Sequence, residues 1–173
     1  MKLSSSSDTQ AIDKSIRPLF IIGFIITLLM LALAYFMQEY MGLLPCPLCI
    51  VQRVVVIALA AVFFAGLLHN PSLFGRRIYG LLLTLASLAG FLVAGRHTWL
   101  QHMPADKVPE CGPGLEFWMD NLPANEVIQK VFQGSGECAV VAYRFIGLSI
   151  AEWSLVAFVL FLIYSLKVLF LGR

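Results

Sequence analysis

Long uncharged apolar runs alternate with short polar breaks along this chain, and the runs approach the ~20 residues a helix needs to cross the hydrocarbon core of a bilayer. From Pro18 to Gln38, 21 residues carry no charge, between Arg17 and Glu39. A second run extends from Cys49 to Leu68, interrupted only by Gln52 and Arg53 near its start and closed by the helix-breaking His69-Asn70-Pro71-Ser72. A third has 18 uncharged residues from Ile78 to Gly95. The fourth is short from Trp153 to Leu166, and completes a crossing if it begins near residue 146 and Glu152 faces protein rather than lipid. The pattern predicts an all-α membrane protein: a four-transmembrane-helix bundle with spans over about 18–38, 49–68, 78–95 and 146–166, a tail over 1–17 and one long loop over 96–145. A secretory signal peptide competes for the first run, but the run exceeds the ~7–15 residues of a signal core and no small-x-small cleavage site closes it.

The long loop carries Pro104, Pro109, Pro113, Pro123 and a Gly134-Ser135-Gly136 turn. Within it Phe117, Trp118, Leu122, Val127, Ile128, Val131 and Phe132 are interleaved with Glu116, Asp120, Glu126 and Lys130. That interleaving predicts a short interfacial helix along the membrane surface, with a cap packed on the span ends as the alternative.

Composition strengthens the membrane assignment. The chain is 60% hydrophobic and 13% charged, against about 45–50% and about 25% in soluble domains. Its net charge of +2 is spread without a basic stripe, which excludes nucleic-acid binding. Four spans place both termini on one side, and seven of the 12 basic residues, Lys2, Lys14, Arg17, Arg76, Arg77, Lys167 and Arg173, fall there. The positive-inside rule makes that side cytoplasmic. Arg53, Arg96, Lys107, Lys130 and Arg144 fall on the other.

The same parity sends all four cysteines to the non-cytoplasmic side, where disulfides persist. Cys46-Pro47-Leu48-Cys49 is a C-x-x-C at the head of the second span. Its spacing closes a small disulfide ring or supplies half a zinc site, and a helix N-terminus favours a thiolate there. Arg53 lies four residues after Cys49, on the same helix face, as a snorkelling arginine or as a charge beside a thiolate. Cys111 and Cys138 share the loop, either as a structural staple or as the second pair of a thiol–disulfide relay. Only one of the two pairs is closely spaced, which argues against a metal site. His97 follows Arg96 at the level of the C-x-x-C. His69 and His102 attract no role, and Glu152 reads as a headgroup-level carboxylate.

Together, the four spans, Cys46-Pro47-Leu48-Cys49 with Arg53, the His97-Thr98 and Leu100-Gln101 run, and Val131-Phe132 through Ser135-Gly136-Glu137-Cys138-Ala139 resemble the DsbB family of bacterial inner-membrane disulfide-bond formation proteins. The resemblance implies an oxidoreductase supporting disulfide bond formation in a multi-pass inner-membrane setting, with cytoplasmic termini and periplasmic cysteines. It implies that a Cys111–Cys138 disulfide accepts electrons from a DsbA-like thioredoxin-fold partner attacking Cys111. Cys138 would then exchange with Cys46, and Cys49 would pass electrons to a membrane quinone, ubiquinone or menaquinone, near Arg53 and His97. Gln52 and Ile150 depart from an acidic residue and a methionine found in some relatives. A vitamin K epoxide reductase-type enzyme is disfavoured because its C-x-x-C belongs to a late span. The non-enzyme alternative, a tetraspan structural or binding protein with stapled loop cysteines, leaves Arg53 beside the C-x-x-C unexplained.

Overall fold

The computed structural model describes the backbone of residues 5–112 and 115–170 and, within them, side chains other than those of 5–16 and Ala105. Lys2, Arg173 and the Lys14 side chain, used above to assign sidedness, lie outside that description. Four long helices form the bundle: α1 (Ser5–Met41), α2 (Pro47–His69), α3 (Leu73–Gln101) and, last in the chain, α7 (Ile150–Phe170). All four are long and apolar enough to cross a membrane, the stretch Arg17–Met41 serving in α1. Between α3 and α7 the loop folds into a 3₁₀ turn (Ala105–Lys107), α4 (Leu115–Asn121), α5 (Ala124–Gln133), α6 (Gly136–Ala139) and a two-residue hairpin, β1 (Arg144–Phe145) with β2 (Leu148–Ser149).

The helices run past the uncharged segments because backbone hydrogen bonding need not stop at the first charge. α3 takes in Arg76, Arg77 and Arg96, and α1 continues through Pro18 into the segment expected to be a tail. Arg76 is only 2% exposed, so one of the residues counted as loop charge is packed within the first turn of α3.

Two expectations need correction. The fourth helix starts at Ile150, not near 146, because Ile146 and Gly147 turn the hairpin with φ of 53° and 81°. The left-handed region suits Gly147 and ends any helical path there. Glu152 then sits in the first turn of α7, where its Oε2 accepts from the Ser149 N–H at 2.6 Å and the Ser149 hydroxyl accepts from the Glu152 N–H at 3.2 Å. This reciprocal cap satisfies N–H groups that a helix start leaves open. The second correction concerns the loop, where the segment expected to form one short helix divides into α4 and α5, ahead of α6. Pro123 stands as the N-cap of α5 in an extended conformation, and α4 ends before it.

Packing divides into two layers along the bundle. Phe20, Val56, Leu59, Phe63, Leu83, Ala94, Phe158, Phe161 and Val168 form the interior between the spans. Large apolar side chains such as Ile25, Leu29, Leu33, Ile57, Leu85 and Leu160 lie exposed on the outside, the arrangement lipid tails require. The second cluster joins Cys46, Leu48, Val93, Leu100, Trp118, Val131 and Cys138. It glues the folded loop onto the ends of α2 and α3, and it contains the chemistry.

Candidate functional site

The site is built on the N-terminus of α2. Cys46 is the N-cap residue, in extended conformation, and Pro47 fills the first helical position, where its missing N–H costs nothing. The Cys46 sulfur accepts from the Cys49 backbone N–H at 3.4 Å. The Cys46 sulfur thereby caps one of the N–H groups that a helix start leaves open. One turn on, Cys49 Sγ lies 3.1 Å from Cys46 Sγ, and both are free thiols in this structure.

His97 comes from the last turns of α3 and is buried at the same level. Its Nε2 lies 3.7 Å from Cys46 Sγ and its Nδ1 lies 4.0 Å from Cys49 Sγ. The ring is fixed by Gln52, whose amide nitrogen is 3.2 Å from Nδ1. Sequence reasoning noted Gln52 only as a departure from relatives and missed this function. The available signal was its position three residues after Cys49 on the buried face of α2.

Arg53 follows Cys49 by one turn, as the spacing required, but its guanidinium reaches α1. Nη1 donates to Gln38 Oε1 at 2.6 Å and Nη2 to the Ala34 carbonyl at 3.2 Å. The arginine is thus paired rather than merely snorkelling. Two of its five N–H donors are engaged in these bonds, leaving the others for a neighbour at the helix head.

The loop delivers the second cysteine pair. Cys138, in the single turn of α6, is fully buried beside Cys46. The neighbouring Cys46 thiol and burial push the Cys138 thiol up, while the backbone amides of Leu48 and Ser135 pull the other way. Cys111 is exposed, on the extended segment that crosses the start of α6. The Gly136 N–H donates to the Glu110 carbonyl at 3.3 Å. A Cβ at Gly136 would stand 2.9 Å from Cys111 Sγ, so glycine is what permits this crossing two residues before Cys138. Trp118 packs over Gly112, and Arg96 anchors the end of α5 by donating to the Phe132 and Gln133 carbonyls at 3.2 and 2.9 Å.

The fold therefore brings Cys46, Cys49, His97 and Cys138 together, with Cys111 beside the α6 turn and Arg53 one helical turn toward the membrane interior. Other polar groups are used locally: His102 Nε2 lies 3.6 Å from Glu152 Oε1, His69 pairs with Tyr79, and the Ser149 hydroxyl donates to Gln101. Of the four sulfur-bearing residues, Cys111 is exposed, Cys138 and Cys46 are buried, and Cys49 is partly buried.

Comparisons with known proteins identify a family. Residues 16–168 match the family model described as "Disulfide bond formation protein DsbB". The chain is similar to proteins named "Disulfide bond formation protein B" from Nitrosococcus oceani, 49% identical over 88% of this chain and 90% of the relative, and from Methylococcus capsulatus, 44% identical over 83% and 88%. A relative of the same name from Marinobacter nauticus is 45% identical over 88% and 91%. The chain belongs to the DsbB family and is a multi-pass membrane thiol oxidoreductase of disulfide bond formation.

Proposed function

We propose that Cys111, Cys138, Cys46 and Cys49 form a two-step thiol–disulfide relay that reoxidises a thioredoxin-fold dithiol protein of the DsbA type and delivers its electrons to a membrane quinone. The observation that carries this reading is the burial of Cys138 against Cys46. A staple has no need to bury one of its sulfurs against a second redox pair.

Each step balances. A thiolate of the reduced partner bonds to the exposed Cys111 sulfur, the Cys111–Cys138 bond breaks, and Cys138 leaves as thiolate. Cys138 bonds to Cys46, the Cys46–Cys49 bond breaks, and Cys49 leaves as thiolate carrying the electron pair. The partner's second thiolate then closes the partner's disulfide and frees Cys111, which attacks Cys138 and displaces Cys46. Both electrons now reside on the C-x-x-C.

The donor set suits a quinone. Cys49 is only partly buried at the helix head, His97 and the unengaged Arg53 donors are polar, and Leu44, Val54 and Ile57 present exposed apolar surface on the adjoining residues. A quinone would supply a two-electron, two-proton sink whose apolar tail dissolves in lipid. Cys49 would face the acceptor, Arg53 would stabilise negative charge there, and His97, held by Gln52, would fix the ring side of the pocket. Re-forming the Cys46–Cys49 bond would release two electrons and two protons, which that sink would take up as the quinone becomes quinol.

The relay requires Cys138 and Cys46 to bond, and the experiment that tests it removes their alternatives. In a Cys49→Ala/Cys111→Ala double variant the remaining sulfurs should form a Cys46–Cys138 disulfide under mild oxidation, identified by peptide mapping. A chain that keeps both thiols free under those conditions would contradict the relay.

In the same reading, the termini are cytoplasmic and the cysteine end of the bundle is periplasmic. A membrane-impermeant maleimide applied to intact spheroplasts after reduction should label the exposed Cys111 readily and the buried Cys138 far more slowly. Labelling of Cys111 that appears only after permeabilisation would reverse the orientation.

A further inference from the structure

We propose that the reduced C-x-x-C and His97 form a binding site for a thiophilic divalent cation, with Zn²⁺ as the physiological example, that opens only when the Cys46–Cys49 disulfide is reduced. The spacing of cysteines along the chain argues against zinc, but the fold supplies what the spacing lacks. Cys46, Cys49 and His97 each offer a ligand atom, and these atoms lie within 4.8 Å of one another.

The distances are close to those a metal demands. With Zn–S near 2.3 Å and Zn–N near 2.0 Å, a tetrahedral ion sets its sulfurs about 3.8 Å apart and each sulfur about 3.5 Å from the nitrogen. Cys46 Sγ and His97 Nε2 already stand 3.7 Å apart. Cys46 and Cys49, at 3.1 Å, must open by about 0.7 Å to reach the tetrahedral separation, and Cys49 Sγ, 4.0 Å from Nδ1, must turn toward Nε2, movements that rotation of the partly buried Cys49 side chain supplies. These three are the protein's ligands, and water would complete the tetrahedron.

The surroundings provide what such an ion needs beyond its ligands. Gln52 faces His97 Nδ1 at 3.2 Å. With its amide turned, its carbonyl oxygen accepts from Nδ1–H and leaves Nε2 free for the metal, the supporting bond that metal-bound histidines normally make. The Cys46 sulfur already accepts the Cys49 backbone N–H at 3.4 Å, a supporting bond of the kind metal ligands keep. Binding releases the two thiol protons and moves no electrons, so the disulfide form, which has no thiolates, has no site.

Occupancy ties up the two C-x-x-C sulfurs through which the relay must pass, and this consequence rests on the relay reading. Zn²⁺ should therefore inhibit turnover, with a chelator restoring it. Metal binding is read without turnover, so its failure and that of the relay are separable.

The test uses the full chain in detergent, reduced and freed of excess reductant, titrated with Co²⁺ and then Zn²⁺. The reduced protein should develop thiolate-to-cobalt absorption saturating at one equivalent, and Zn²⁺ should abolish it. The same chain with its disulfides re-formed should show none, a control requiring no variant. His97→Ala should weaken Zn²⁺ binding by about tenfold or more, on the scale set by loss of even a supporting group, whereas Cys111→Ser should leave it intact. Absence of the band in the reduced protein, its persistence in the oxidised protein, or its loss in Cys111→Ser with retention in His97→Ala would overturn the site.

Discussion

Cys111→Ser should abolish oxidation of the soluble dithiol partner, lowering its rate on the order of 10³-fold or more, as follows when a covalent pathway loses the sulfur that makes its first bond. Cys111 is the exposed member of its pair, and Cys138 is buried against α2, so a folded protein partner has one sulfur within reach. The C-x-x-C remains intact in this variant. A small dithiol that reaches the partly buried Cys49 should still pass electrons through it at a rate close to that of the unaltered protein. The pair of assays separates loss of entry from loss of the site. A Cys111→Ser protein that oxidises the protein partner normally would return Cys111 and Cys138 to the role of a staple.

The four spans were legible because apolar runs of bilayer length leave few alternatives, and the sign of the chemistry was legible in the C-x-x-C at the head of the second. What local pattern could not supply were contacts between elements. The span boundaries put His97 at the level of the C-x-x-C, but its contacts with both cysteines exist only because α3 packs on α2. Likewise the i, i+4 spacing put Arg53 on the Cys49 face but was silent on Gln38 and Ala34 of α1, which hold its guanidinium. The start of the last helix was misread because Phe145 and Ile146 are apolar and look like span, whereas Gly147 lets them turn in a hairpin. In the loop, hydrophobic spacing across Pro123 suggested continuity that the proline does not permit.

Arg53→Met carries the second large effect. The substitution keeps a long apolar stem and removes a charge that is costly at this depth, so insertion and helical content should survive. Two hydrogen bonds to α1 are lost, and with them the tie between α2 and Gln38. Quinone reduction should slow by about 10²–10³-fold, corresponding to about 2–4 kcal/mol, if the remaining donors act on charge developing at the acceptor. A lowered kcat at constant KM would place that action in the transition state, and a raised KM would place it in binding. Single-turnover exchange between the partner and Cys111–Cys138 without quinone should stay near normal, since Arg53 reaches away from the loop. Unchanged quinone kinetics would reduce Arg53 to a helix-to-helix tie.

The central claim is that electrons entering at Cys111 leave through Cys49 to a quinone, and it is tested most directly by following quinone absorbance while the purified full chain oxidises a reduced thioredoxin-fold partner. The account predicts one quinone reduced for each partner disulfide formed, as a two-electron couple requires, with both signals lost in Cys49→Ser. Partner oxidation that proceeds without quinone reduction, or continues at the same rate in Cys49→Ser, would contradict it.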